Sequence, residues 1–158
     1  MKIRWKALAI NIIVPLAVGA ISGLLTREGM QNFSNIIKPA ITPPSYVIPI
    51  IWTVLYILMG ISTYLIYASD ASLLQKEEAL RIYALQLGVN FLWSFIFFNM
   101  SAYLLAFVWL VLLWGLIIAM ILAYYPISKC AALLQIPYLL WVTFAGYLTF
   151  MIYQLNKP

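Results

Sequence analysis

The sequence predicts an all-α integral membrane protein: a five-transmembrane-helix bundle with a structured loop between helices one and two. Three observations predict it. The 158 residues are 66% hydrophobic and 8% charged, with a mean hydropathy of +1.02, whereas a soluble domain carries about 25% charged residues. The charges leave four long uncharged runs, at 7–26, 39–69, 82–128 and 130–156. Within those runs apolar residues follow one another continuously and do not alternate as barrel strands do.

A span needs roughly 20 apolar residues. The first, second and fourth runs each hold one. The third holds two, with Asn99 to Tyr103 (NMSAY) as the turn. The expected helices are near 6–26, 46–68, 79–98, 103–124 and 131–154, in one domain covering 1–158.

Helix one begins after Lys2, Arg4 and Lys6 and carries Pro15, Gly19, Ser22, Gly23 and Thr26. Gly19 and Gly23 form a GxxxG pattern. It reads as a close-packing face or as backbone making room for a ligand or a covering loop. A cleaved signal peptide is the rival reading of this run. Pro15 in mid-run and the continuation to Thr26 favour a retained helix.

The connection at about 27–45 leads into Pro39, Pro43, Pro44 and Pro49. Prolines stiffen the path and withhold backbone donors. A tether would not need that stiffness, so the segment reads as a preformed lid over the mouth of the bundle, or else as a plain proline-punctuated start to helix two.

Helix two places Trp52, Tyr56 and Met59 on one face, and helix three does the same with Gln86, Asn90 and Trp93. Unpaired amides in hydrocarbon are costly, so both amides are expected to point inward. They serve either as interhelical glue or as a polar anchor in an apolar pocket. Helix five aligns Tyr138, Trp141, Ala145 and Thr149. Ala84 and Gly88 on helix three, with Gly115, Ala119 and Ala123 on helix four, are further close-packing faces.

Five spans put the termini on opposite sides. Lys2, Arg4, Lys6, Lys76, Arg81 and Lys129 share one side, six residues against the three of Arg27, Lys38 and Lys157. The positive-inside rule then places the N-terminus in the cytoplasm and the C-terminus outside. The basic residues are not clustered with stacking partners, which speaks against nucleic-acid binding. The chain has no histidine and one cysteine, Cys130, so no metal site is expected and no intrachain disulfide. Ionisable residues are absent from the spans except near helix ends, which argues against ion-coupled transport.

The stretch KPAITPPSYVIPIIWTVLYILMG (38–60) resembles the signature of the translocator protein family, also called tryptophan-rich sensory proteins, TspO/MBR or peripheral-type benzodiazepine receptors. The match covers Lys38, Pro39, Pro43, Pro44, Pro49, Trp52, Leu55, Tyr56, Met59 and Gly60. QLGVNFLWSFIFF (86–98) and PYLLWVTFAGYL (137–148) resemble the family's third- and fifth-helix motifs. Ile41 stands where the family has an aromatic, and Gln154 stands where animal members have the arginine of their sterol motif.

The resemblance implies a bacterial member: a multi-pass protein of the cell membrane and a homodimer, with a loop that closes over a pocket. Its ligands would be protoporphyrin IX or another tetrapyrrole, and synthetic benzodiazepine-type and isoquinoline carboxamide compounds. The implied pocket residues are Trp52, Asn90, Trp141 and Ala145, with Tyr56, Phe91, Trp93, Tyr138 and Pro44 beside them. No cofactor is implied; the porphyrin is ligand or substrate. Were there turnover, as light-dependent oxidative breakdown of the porphyrin, Trp52 and Trp141 would be its catalytic residues. Passive transport of porphyrin or another lipophile, and stress sensing without turnover, remain the alternatives.

Overall fold

The computed structural model describes residues 2–158. Its helices are α1 (Trp5–Leu25), α2 (Arg27–Phe33), α3 (Val47–Tyr67), α4 (Leu73–Ser94), α5 (Tyr103–Tyr124), α6 (Lys129–Leu134) and α7 (Ile136–Asn156). A π-helical turn, Phe95–Asn99, continues α4. Five segments are long and apolar enough to cross a membrane: α1, α3, α4 with its π turn, α5, and α6 with α7.

Three elements differ from the sequence expectation, each for a local reason. Helix α4 begins at Leu73, six residues before the expected start near 79. Ser72 caps it: its hydroxyl accepts from the Gln75 amide at 3.3 Å, and the Gln75 side chain accepts from the Ser72 amide at 3.2 Å. This reciprocal box satisfies two otherwise orphan donors and carries Lys76, Glu77 and Glu78 in helix beyond the span. The expected loop 27–45 contains helix α2. The fifth span is broken at Gln135 into α6 and α7, where Pro137 lies in the first turn of α7. Proline has no N–H and its ring collides with an i−4 carbonyl, so it starts a helix more readily than it continues one.

The turn at 99–103 forms where the sequence places it. The Met100 amide reaches the Phe95 carbonyl at 2.9 Å, and Ser101 turns the chain with φ 50°.

Helix α1 packs on α3, α4 on α5, and α5 on α7, while α3 meets the last span mainly through α6. One end of the bundle is closed. There Ser62 donates to the Ala131 carbonyl at 2.7 Å and accepts from Gln135 at 3.0 Å, and the Thr63 and Tyr124 hydroxyls pair at 2.9 Å. Met59, Ile66, Leu110, Ile117 and Met120 fill the core between them. Outward-facing Leu24, Val54, Leu122 and Leu140 are each at least half exposed. Apolar side chains outside and polar pairs inside suit a hydrocarbon solvent, where backbone and side-chain polar groups must be satisfied internally.

The other end is roofed. A β-carbon on Gly29 of α2 would lie 2.5 Å from the Phe98 carbonyl oxygen, so α2 rests directly on the π turn. Phe33 anchors it there, its ring 5.5 Å from Phe97 and 5.6 Å from Phe98. Residues 34–46 complete the lid. Lys38 donates to the Phe33 carbonyl at 2.9 Å and lies 4.8 Å over its ring. The Ile37 amide donates to the Asn156 side chain at 3.1 Å, and the Asn156 amide group donates back to the Ile37 carbonyl at 2.8 Å.

Candidate ligand-binding site

Beneath this lid the helices enclose a cavity of about 610 Å³, inside the roughly 300–1,000 Å³ range of small-molecule sites. Its walls come from α1, α3, α4 with the π turn, and α7, and its roof from α2 and the lid; α5 contributes no wall residue. No Asp, Glu, Lys or Arg lines it. Among the described residues no three His, Cys, Asp or Glu side chains come together.

Six of the residues expected at the site line this one cavity: Trp52, Tyr56, Asn90, Trp93, Trp141 and Ala145. They come from three helices far apart in sequence. Trp52 stacks on Tyr56 at 5.6 Å and stands edge-on to Trp141 at 6.4 Å and to Tyr138 at 6.3 Å. Offset and edge-on arrangements of this kind are the favoured aromatic geometries. Trp93 stacks on Phe97 at 5.0 Å.

Three expected residues lie outside the wall. Tyr138 is fully buried behind it. Phe91 turns along α4 and packs on Phe95 at 5.2 Å. Pro44 is exposed in the lid, where its carbonyl accepts from the Val47 amide at 3.0 Å and starts α3. Its neighbours Thr42 and Ser45 reach the cavity instead.

The two expected amides form one directed chain. The Tyr56 hydroxyl donates to Asn90 Oδ1 at 2.9 Å, and Asn90 Nδ2 donates to the Tyr138 hydroxyl at 2.7 Å. That hydroxyl donates to Gln86 Oε1 at 2.8 Å, and Gln86 Nε2 ends the chain on Met59 Sδ at 3.4 Å. Gln86 is sealed in the core and acts as glue. Asn90 borders the cavity as well, with one N–H and one lone pair still uncommitted.

The close-packing faces also divide. A β-carbon on Gly19 would collide with the Tyr56 ring, so this glycine admits the side chain that starts the hydrogen-bond chain. Gly23 has open space within 4 Å and serves the cavity. Gly88 and Gly115 likewise have no neighbour within 4 Å in the chain.

Periodicity did not single out Met30, Phe33, Thr42, Phe97 and Phe98 in the roof and upper wall, nor the latch residue Asn156. Roof residues belong to no long amphipathic helix, so spacing carries no signal for them. The FIFF cluster in 95–98 is visible in the sequence, but its inward turn depends on the π helix.

A model of the TspO/MBR family matches residues 11–155. The chain is 37% identical over 150 residues to the tryptophan-rich protein TspO of Chlorobaculum tepidum, covering 94% of this chain and 95% of that one. It is 35% identical over 148 residues to protein CrtK of Rhodobacter capsulatus, covering 90% and 89%. It is 34% identical over 148 residues to the translocator protein of Bos taurus, covering 92% and 87%. Five apolar spans and matches along nearly the whole chain make this a multi-pass membrane protein that belongs to the TspO/MBR family.

Proposed function

We propose that the protein binds porphyrins, protoporphyrin IX above all, in the lid-covered cavity, and that synthetic benzodiazepine-type and isoquinoline carboxamide compounds occupy the same space. The observation that carries this reading is a single uncharged cavity with Trp52, Trp93 and Trp141 in its wall. A conjugated ring gains from aromatic contact beyond its area of burial. Metal-free porphyrin is favoured over haem because the chain offers no histidine to an iron.

The test is quenching of tryptophan fluorescence by protoporphyrin IX in detergent, with Trp52→Phe, Asn90→Ala and Trp141→Phe beside the wild type. Saturable quenching that weakens in the variants is expected. Equal affinity in all four proteins would overturn the site.

Light-driven oxidative breakdown is the reactive form of the same reading. The excited porphyrin supplies the reactivity, as cofactors with intrinsic chemistry do, and Trp52 and Trp141 are the oxidisable side chains beside it. Equal porphyrin decay under illumination with wild type, the Trp52→Phe/Trp141→Phe double variant and empty detergent would remove that part. Passive transport and sensing without turnover would then be left as uses of the same pocket.

The proposal includes a homodimer in the bacterial cell membrane, with the N-terminus in the cytoplasm and the C-terminus outside. The open surfaces at Gly88 and Gly115 support the first, and the excess of basic residues on the N-terminal side supports the second. Light-scattering mass in detergent and cysteine labelling of intact cells test them.

A further inference from the structure

A second apolar space lies on the outer surface of the bundle. It is a groove of about 490 Å³ between α3 and α7, bordered by Ile50, Val54, Leu58, Leu140 and Phe144, and by Trp141. Apart from the Trp141 indole nitrogen, every side chain that borders it is hydrocarbon.

The groove and the inner cavity run side by side. On α3, Ile51 and Leu55 border the groove, while their chain neighbours Trp52 and Tyr56 border the cavity. On α7, Leu140 and Phe144 border the groove and Ala145 borders the cavity. Of all these lining residues only Trp141 borders both. Its ring lies 6.4 Å from that of Trp52 on the cavity side and 5.7 Å from that of Phe144 on the groove side.

Side chains close this seam, because α3 meets the last span mainly through α6 and not through α7. The Trp141 indole has no tether. Trp109 donates to the Val89 carbonyl at 2.8 Å, and Trp114 donates to the Thr143 hydroxyl at 2.9 Å, but the Trp141 N–H has no acceptor. Ring packing alone holds it, so a rotamer change, of the kind that side chains make even in packed cores, breaks no hydrogen bond. The roof differs: Lys38 holds the Phe33 carbonyl, and Ile37 and Asn156 exchange two bonds.

Position and lining select what can pass. Trp141 stands near the middle of the last span, Lys129–Asn156, level with hydrocarbon and not with water. An ion there would lose its hydration and meet no partner in the groove. An uncharged aromatic molecule dissolved in the bilayer would keep apolar surroundings throughout. We propose that the groove between α3 and α7 is a binding vestibule for uncharged aromatic lipophiles drawn from the bilayer, and that the Trp141 ring is the gate between it and the cavity. This rests on the reading of the cavity as a ligand site, and not on that ligand being a porphyrin.

Benzophenone tests it, as an uncharged aromatic ketone that on illumination attaches to the C–H bonds it touches. It is mixed with the protein in nanodiscs, samples are frozen at intervals and illuminated, and labelled residues are read by peptide mass spectrometry. Wild type should label first at Val54 and Leu140 of the groove, more strongly than at lipid-facing Val111 of α5, and later at Ala145 and Leu148 of the cavity. Val54→Trp fills the groove without touching the cavity wall. It should slow cavity labelling about tenfold, as a barrier of the size that overpacking adds would do. Phe144→Ala removes the ring beside Trp141 and should speed cavity labelling several-fold. The final extent of cavity labelling should match wild type in both variants, since neither residue lines the cavity.

Groove labelling no stronger than at Val111 overturns the vestibule. Cavity labelling at one rate in all three proteins, or none in any, overturns the gate. Saturable porphyrin quenching beside unchanged labelling rates would leave the porphyrin reading standing without the gate. Labelling rates that shift as expected, with no porphyrin quenching, would leave the gate standing without that reading.

Discussion

Gly60 of α3 lies against the Asn11 carbonyl of α1: a β-carbon there would come within 2.5 Å of both Asn11 O and Ile12 Cα. The contact depends on Pro15. Proline has no N–H, so the Asn11 carbonyl lacks the donor that residue i+4 would supply. Gly60 lets the neighbouring helix approach this carbonyl, and α1 and α3 share the most extensive helix contact in the bundle. Gly60→Ala should therefore cost about 1–3 kcal/mol, as overpacking does, and lower the thermal midpoint by several degrees. Gly23→Ala, which meets nothing within 4 Å, should unfold at the wild-type temperature. Thermal unfolding in detergent compares the two. Equal midpoints would refute the close approach.

Tyr138 holds the middle of the amide chain, accepting from Asn90 and donating to Gln86. Tyr138→Phe preserves its fully buried ring and removes both bonds. Interhelical hydrogen bonds in membranes average about 0.6 kcal/mol and reach about 1.7, so a loss of roughly 1–2 kcal/mol is expected. Ligand affinity should change less than for Trp52→Phe, because Tyr138 stands behind the wall. A variant with unchanged melting but abolished binding would reverse these roles.

Asn156 and Ile37 exchange two hydrogen bonds, much as paired strands do, and so latch the lid to the end of α7. Both bonds are exposed, so each contributes at the low end, about 0.5 kcal/mol. Asn156→Ala should raise amide exchange across 34–46 several-fold and speed ligand release, with little effect on the exchange of α3 or α5. Hydrogen exchange read by mass spectrometry decides this. Unchanged protection of Ile37 would show that the lid is held elsewhere.

Trp141 faces two spaces. Its indole lines the inner cavity, and it also borders an apolar groove on the outer surface between α3 and α7, beside Ile51, Val54, Leu140 and Phe144. One side chain thus stands between the inner cavity and the outer groove. In nanodiscs of brominated-acyl lipid, Trp141→Ala should make Trp52 emission quenchable from the membrane, whereas Trp141→Phe should keep the partition. Equal quenching in wild type and Trp141→Ala would show that other atoms close the seam.

Much of this was legible in the sequence because hydrocarbon is a demanding solvent. A run of about 20 uncharged residues has little choice but to form a helix whose backbone satisfies itself. The five spans, the turn at Asn99 to Tyr103 and the inward faces bearing Trp52, Asn90 and Trp141 therefore follow from composition and a period of 3.6. The resemblance carried by residues 38–60 pointed to the same face. Spacing within one helix could also align Tyr138 with Trp141, but not tell which of the two borders the cavity.

The tertiary structure decided the rest. It alone set Tyr138 behind Asn90, turned Phe91 away from the wall, and brought Thr42 under the lid in place of Pro44. It alone left Trp93 and Ser22 without partners while satisfying Trp109 and Trp114. These outcomes depend on contacts between residues as distant as Ile37 and Asn156, whose meeting is encoded in no local period. Helix formation is a local response to the bilayer. The shape, roof and unmet hydrogen bonds of a cavity arise only where several helices and a folded lid converge.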